Sequence, residues 1–319
     1  MPLIDMPLEE LRQYQGRNPR PADFDAYWSD ALAELDSTPP KPQIEPATFA
    51  ARFVECKDLW FAGVRNARIH AKLLQPPGKP KGAVLMFHGY SMSAGDWADK
   101  LGYAAEGFLV LAMDVRGQGG WSEDVGGVKG TTLRGHIVRG LDGPARDMLY
   151  RQVFLDCAQL ARIALDVTDG GPVHATGASQ GGGLTLACAG LEPKVERIVP
   201  WYPFLCDYKR VWEMDLAKDA YDEMQTWFRR FDPTHEREEE VFTKLGYIDV
   251  QHLASRIKAE TLMATGLMDT ICPPSSQFAA FNKITAKKDV VIYPDFSHEG
   301  LPGMNDRTFA FLCGRSPLP

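Results

Sequence analysis

The chain has no CxxC pair, no basic run longer than two residues and no internal repeat. Its six cysteines stand apart at 56, 157, 188, 206, 272 and 313. That scatter argues against a thiol-redox motif, and no Cys/His group has the ligand spacing of a zinc site. The opening residues lack a basic region followed by an apolar one, so no secretory signal is expected. The expectation that follows is a cytoplasmic protein with reduced thiols. Long apolar runs are also missing. The longest stretch free of Asp, Glu, Lys and Arg is 170–191, 22 residues that hold seven glycines and the polar His174, Thr176, Ser179, Gln180 and Thr185. It is too polar and too broken by glycine for a lipid-facing helix, and no membrane span is expected. Positive charge is in deficit. Lys+Arg 35 against Asp+Glu 42 leaves −7, which disfavours nucleic acid or an anionic membrane as partner.

What remains is the composition of an ordinary globular enzyme-sized chain: 319 residues, 45% hydrophobic and 24% charged. That is enough for one large core, and 1–319 reads as a single domain. Residues 22–35 carry Phe24, Tyr27, Trp28, Leu32 and Leu35 at helical spacing, ended by a Pro-rich stretch at 39–42. Two extended runs, 52–61 and 68–74, read as an antiparallel hairpin. Then the pattern changes. Short apolar runs at 83–87, 108–113, 173–176, 196–201, 261–265 and 290–293 alternate with longer helical segments, among them 146–167, 274–282 and 306–312. This is the pattern of buried parallel strands in an α/β sheet flanked by helices. One segment, 207–256, breaks the alternation. It is rich in charge and aromatics and reads as a helical insertion, either capping a pocket or packed away from it. The last residues, 314–319, read as an unstructured tail.

Gly177-Ala178-Ser179-Gln180-Gly181 is G-x-S-x-G between an apolar strand and a small-residue helix at 182–189. Strand, sharp turn and helix are the context of a nucleophile elbow, which raises a serine oxygen clear of the sheet. The helix start behind it offers N–H groups and positive dipole. A serine needs a base, and the base an orienting acid. In this fold the chain order is serine, acid, histidine. Three histidines follow Ser179. His235 and His252 fall among charges in the insertion and read as surface residues. His298 follows the last core strand and is the expected base. Asp269 follows the strand before it and is the expected acid, ahead of Asp295 and Glu299 in the histidine's own loop. The oxyanion hole needs the backbone N–H of Gln180, after the nucleophile, and a second from the loop after an earlier strand. The backbone N–H of Tyr90 is the candidate, with Gly89 expected to give the tight turn. His88 reads as a buried, hydrogen-bonded prop.

Taken together, His88-Gly89-Tyr90 with Gly95-Asp96-Trp97, Arg116-Gly117-Gln118-Gly119, the 177–182 elbow, Asp269 with Cys272-Pro273-Pro274, and His298-Glu299 resemble the acetyl xylan esterase/cephalosporin C deacetylase family, carbohydrate esterase family seven. Residues 5–11 and 20–24 resemble its opening as well, so the resemblance covers nearly the whole chain. It implies an α/β-hydrolase that removes acetyl groups from small acetylated sugars, such as xylo-oligosaccharides, and from cephalosporin C. It implies no metal, no organic cofactor and a cytoplasmic homo-oligomer, often a hexamer. It supports Ser179, Asp269 and His298 as triad and Tyr90 and Gln180 as oxyanion donors. Ile271 and Cys272, just after the acid, are candidates to line the acyl pocket. Arg116 reads as an anchor of neighbouring loops rather than a substrate contact. For Trp121, Phe204 and Trp212 core packing is the default over walling the substrate's alcohol side. Rival readings are another short-chain carboxylesterase or a peptidase of the same fold, or a non-catalytic binding module.

Overall fold

The computed structural model describes residues 4–125, 134–215 and 218–315. Most of the tail, 316–319, and residues 216–217 of the insertion lie outside that range. Among the described residues nine strands form one sheet: β1 (Gln43–Pro46), β2 (Glu55–Ala62), β3 (Arg68–Gln75), β4 (Ala83–Phe87), β5 (Leu109–Met113), β6 (Val173–Ala178), β7 (Val195–Trp201), β8 (Glu260–Gly266) and β9 (Lys288–Tyr293). Their spatial order is β1-β2-β3-β5-β4-β6-β7-β8-β9. The expected hairpin is β2–β3, antiparallel, and it joins the main sheet through an antiparallel β3–β5 pairing. From β5 to β9 every pairing is parallel. β5 is buried along its whole length, which explains a strand with no polar alternation. β9 closes the sheet as an edge and is only half-buried, although its apolar run had suggested a core strand.

Helices cover both faces. Leu149–Val167 and Gln180–Leu191 pack against each other beneath the sheet. Gln180–Leu191 is buried at every residue, and its run of glycine and alanine lets its backbone approach the strands closely. Among the described residues the 207–256 insertion folds as three helices, Tyr208–Glu213, Asp222–Phe231 and Glu238–Leu245, followed by three short 3₁₀ turns. Two expectations fail here. His252 is buried, not on the surface, with its ring edge-on to Phe24 at 5.7 Å. Burial holds its imidazole far below the usual range, at about 3. Trp121 is 64% exposed and no part of the core. His235 is exposed as expected. No helix of the described residues is long and apolar enough to cross a membrane.

The strand order reverses direction between β4 and β6. The crevice at the carboxyl ends of those two strands is where an α/β sheet offers a site. Phe87 pairs with Gly177 in the ladder, so the loop after β4 and the turn after β6 leave the sheet side by side.

Arg116, just after β5, forms a bidentate pair with Asp156 of Leu149–Val167, at 2.6 and 2.5 Å, with both side chains 1% exposed. Its guanidinium also reaches the carbonyl of Val64, in the turn between β2 and β3. Arg116 is therefore the loop anchor that the sequence suggested. Arg116→Ala leaves the Asp156 carboxylate buried without a cation and should cost ~3–5 kcal/mol. Urea unfolding of the variant measures it, and a loss under about 1 kcal/mol would contradict the anchoring role.

Candidate active site

Ser179 stands at the end of β6 with φ 58° and ψ −119°. For a residue with a side chain this backbone is strained by about 1–3 kcal/mol, a cost met where a site needs the geometry. The surrounding glycines make the turn possible. A Cβ on Gly181 would sit 2.1 Å from the Phe87 carbonyl oxygen, and one on Gly177 2.6 Å from the same atom. Neither position has room for a side chain. The Ser179 backbone is tied on both sides, its N–H to the Trp201 carbonyl and its carbonyl to the Phe204 N–H, each at 3.0 Å.

Asp269 follows β8 and is fully buried. Its Oδ1 accepts the N–H groups of Ile271 at 2.9 Å and Cys272 at 2.8 Å. Its Oδ2 faces His298 Nδ1 at 2.9 Å. Gln277, absent from the sequence reading, donates to Oδ2 at 3.4 Å and to the Cys272 carbonyl. A carboxylate opposite Nδ1 fixes the proton there and leaves Nε2 as the basic nitrogen. The Tyr202 ring lies 4.5 Å from the imidazole. The expected competitors are elsewhere: Asp295 is exposed, and Glu299 accepts the Ser297 N–H of its own loop.

Ser179 and His298 line one cavity of about 570 Å³, together with Tyr90, Tyr202, Phe204 and Ile271. Asp219 and Ala220 of the insertion also line it, so the inserted segment borders the site. Phe204 thus faces the cavity, whereas Trp212 packs on Phe228 and Phe242 inside the insertion. Cys272 lies behind the wall, fully buried.

Asp269, Cys272 and His298 have donor atoms within 4.8 Å of one another, a cluster that residue spacing did not reveal. Its chemistry fits proton handling better than a cation. Both carboxylate oxygens already accept hydrogen bonds, and burial pushes the Cys272 thiol well above its usual range. A neutral thiol is a poor ligand.

The two expected oxyanion donors sit beside the nucleophile: Gln180 follows Ser179 in the chain, and Tyr90 lines the same cavity. Gln180 opens its helix, so its N–H has no partner within the helix. Among the described residues the Tyr90 N–H has no hydrogen-bond acceptor. Side chains brace both. The amides of Gln118 and Gln180 bond to each other at 2.8 and 3.0 Å, Tyr150 donates to Gln180 Oε1 at 2.8 Å, and the Ser91 N–H donates to Gln118 Oε1 at 2.9 Å. His88 is the prop that was expected. Its Nε2 accepts the Val115 N–H at 2.9 Å while Nδ1 donates to the Gly89 carbonyl at 2.7 Å. Burial keeps it neutral by lowering its pKa. The turn itself differs from expectation. The positive φ values of this loop fall at Ser91, 57°, and Gly95, 67°, and not at Gly89.

A doubly wound sheet, mostly parallel, with a strained serine at the β6 elbow and an acid–histidine pair after β8 and β9, defines an α/β-hydrolase. Within that class the chain belongs to the acetyl xylan esterase (AXE1) family, whose sequence model matches residues 1–315. An acetyl esterase of Xylanibacter ruminicola is 30% identical over 302 residues, covering 91% of this chain and 65% of that protein, so the chain spans about two thirds of the curated relative's length. The crystal structure of acetyl xylan esterase 1 from a Thermoanaerobacterium species superposes with a TM-score of 0.95 at 57% identity, covering 98% of this chain and 99% of the other. An acetyl xylan esterase from a Paenibacillus species gives 0.91 at 36% identity over 97% of this chain and all of the other. The acylaminoacyl peptidase of Pyrococcus horikoshii, at 15% identity and a TM-score of 0.57, covers 82% of this chain and 41% of the peptidase and shares the fold alone.

Proposed function

We propose that this protein is a serine esterase that removes acetyl groups from small acetylated carbohydrates, xylo-oligosaccharides among them, and from cephalosporin C. The observation that carries the reading is the meeting of Ser179 and His298 in one cavity, with Asp269 behind the imidazole. The solved relatives, named as acetyl xylan esterases, supply the substrate class. Ser179 Oγ attacks the acetyl carbonyl carbon, and its proton passes to His298 Nε2. The tetrahedral oxyanion rests on the N–H groups of Tyr90 and Gln180. The bond to the sugar oxygen breaks, the alcohol leaves with the proton from His298, and an acetyl–Ser179 ester remains. Water, deprotonated by His298, then attacks that ester and releases acetate. Asp269 holds the Nδ1–H tautomer and stabilises the imidazolium. Ile271, on the cavity wall, and Cys272, behind it, bound the acyl side. A cytoplasmic homohexamer acting on small substrates belongs to the same proposal, with light scattering as its check.

The acyl preference separates this reading from a longer-chain esterase or peptidase of the same fold. Rates on p-nitrophenyl acetate, butyrate and octanoate should fall at least tenfold from acetate to octanoate. Each methylene that finds no room forfeits its burial and adds a clash. Equal or rising kcat/KM along the series would keep the serine chemistry and overturn the acetyl assignment.

A further inference from the structure

Glu223 belongs to the helix Asp222–Phe231 of the insertion, yet its carboxylate ends inside the loop that carries Tyr90. It is 5% exposed. Oε1 accepts the Tyr90 hydroxyl. Oε2 accepts the N–H groups of Ile137 at 2.8 Å and Val138 at 3.1 Å. The Tyr90 oxygen in turn accepts the His136 N–H at 3.3 Å, and its ring meets Phe204 edge-on at 5.7 Å. Burial raises Glu223 to about 7 and pushes the Tyr90 phenol up as well, so the proton stays on Tyr90, which donates. A buried carboxyl is costly unless its oxygens are satisfied. Here both are occupied, and three segments distant in sequence meet on one side chain. The same residue that offers its N–H to the cavity is therefore clamped at its far end. The peptide that carries the Tyr90 N–H is held at its other end too, because the Gly89 carbonyl accepts from His88 Nδ1 at 2.7 Å and from the Met92 N–H at 3.2 Å.

We propose that Glu223 is a positioning residue of the oxyanion hole: by gripping the Tyr90 hydroxyl from the inserted helix, it aims the Tyr90 N–H at the acetyl carbonyl oxygen. The inference rests on the reading of Tyr90 as an oxyanion donor. It makes the insertion a working part of the site rather than only a wall of the cavity. A misaimed donor weakens the transition state more than the ground state, so the loss belongs in kcat.

The test is a double-mutant cycle on the full chain with p-nitrophenyl acetate, using Tyr90→Phe, Glu223→Ala and the pair, with Ser179→Ala in the same assay. Loss of a whole donor costs ~10²–10³ in kcat, so a donor that remains but is badly aimed should cost about tenfold. Each single variant should show that loss with KM within about twofold, and the pair should be no slower than the worse single variant. A Tyr90→Phe enzyme with unchanged kcat would overturn the proposal, as would losses that multiply in the pair or appear in KM alone. If Glu223→Ala fails to fold, Tyr90→Phe decides the matter, since it removes one hydroxyl from the ring. Activity within tenfold of the parent in Ser179→Ala would strike the serine mechanism itself. A dead Ser179→Ala beside an unaffected Tyr90→Phe would strike only the role of Glu223.

Discussion

Ser179→Ala lowers kcat on p-nitrophenyl acetate by ~10⁴–10⁶, equivalent to about 5–8 kcal/mol of transition-state stabilisation. The size follows from what the variant keeps. Alanine tolerates the elbow no better than serine, so the strain at φ 58° persists and the fold is unchanged. The oxyanion donors and the cavity remain. Only the attacking oxygen is gone, and with it the covalent route. The residual rate is that of water attacking a bound ester in a polarised site. Circular dichroism and the thermal midpoint should match the parent protein. A variant that folds normally and hydrolyses the ester within tenfold of the parent would place the nucleophile elsewhere.

Asp269→Asn should cost ~10⁴ in kcat with KM little changed. The structure dictates the direction of the new amide. Oδ1 of residue 269 accepts two backbone N–H groups, from Ile271 and Cys272. An asparagine must keep its carbonyl oxygen there and turn its NH₂ toward His298. A donor opposite Nδ1 forces the proton onto Nε2, where it blocks acceptance of the serine proton. Gln277 adds to the conflict, because its own NH₂ already points at that position from 3.4 Å. The variant keeps its shape and loses its base. Activity within tenfold of the parent would move the acid to Asp295 or Glu299, the carboxyls that compete with Asp269 in sequence.

Much of this was readable beforehand because the site lies where strands end. Short apolar runs mark buried parallel strands, and the residues just beyond β4, β6, β8 and β9 bring the oxyanion loop, the elbow, the acid and the base to one edge. The G-x-S-x-G pattern is legible because sterics allow almost no alternative at 177 and 181, where a side chain would strike the Phe87 carbonyl. Long-range partnerships are not legible in the same way. Arg116 could be read as paired, but not that Asp156 was its partner, since the two meet across 40 positions. Glu223 carried no signal. It lies in a segment dense with acidic residues, and only the fold separates the one that turns inward from those that face water. His252 was misread for the same reason: charge on its neighbours said surface, while its own ring packs on Phe24. β1 was missed because four exposed residues with no alternation look like loop until a neighbouring strand supplies hydrogen bonds. The Asp269–Cys272–His298 cluster escaped because its last member lies on another strand end.

The central claim is that an acetyl group passes through Ser179. Rapid acid quench of the enzyme with p-nitrophenyl acetate, followed by peptide mass spectrometry, tests it most directly. The account predicts one added acetyl group, on the peptide that contains Ser179, formed within the first turnover and absent from Ser179→Ala. An acetyl group on another residue, or turnover at full rate with none on Ser179, would contradict it.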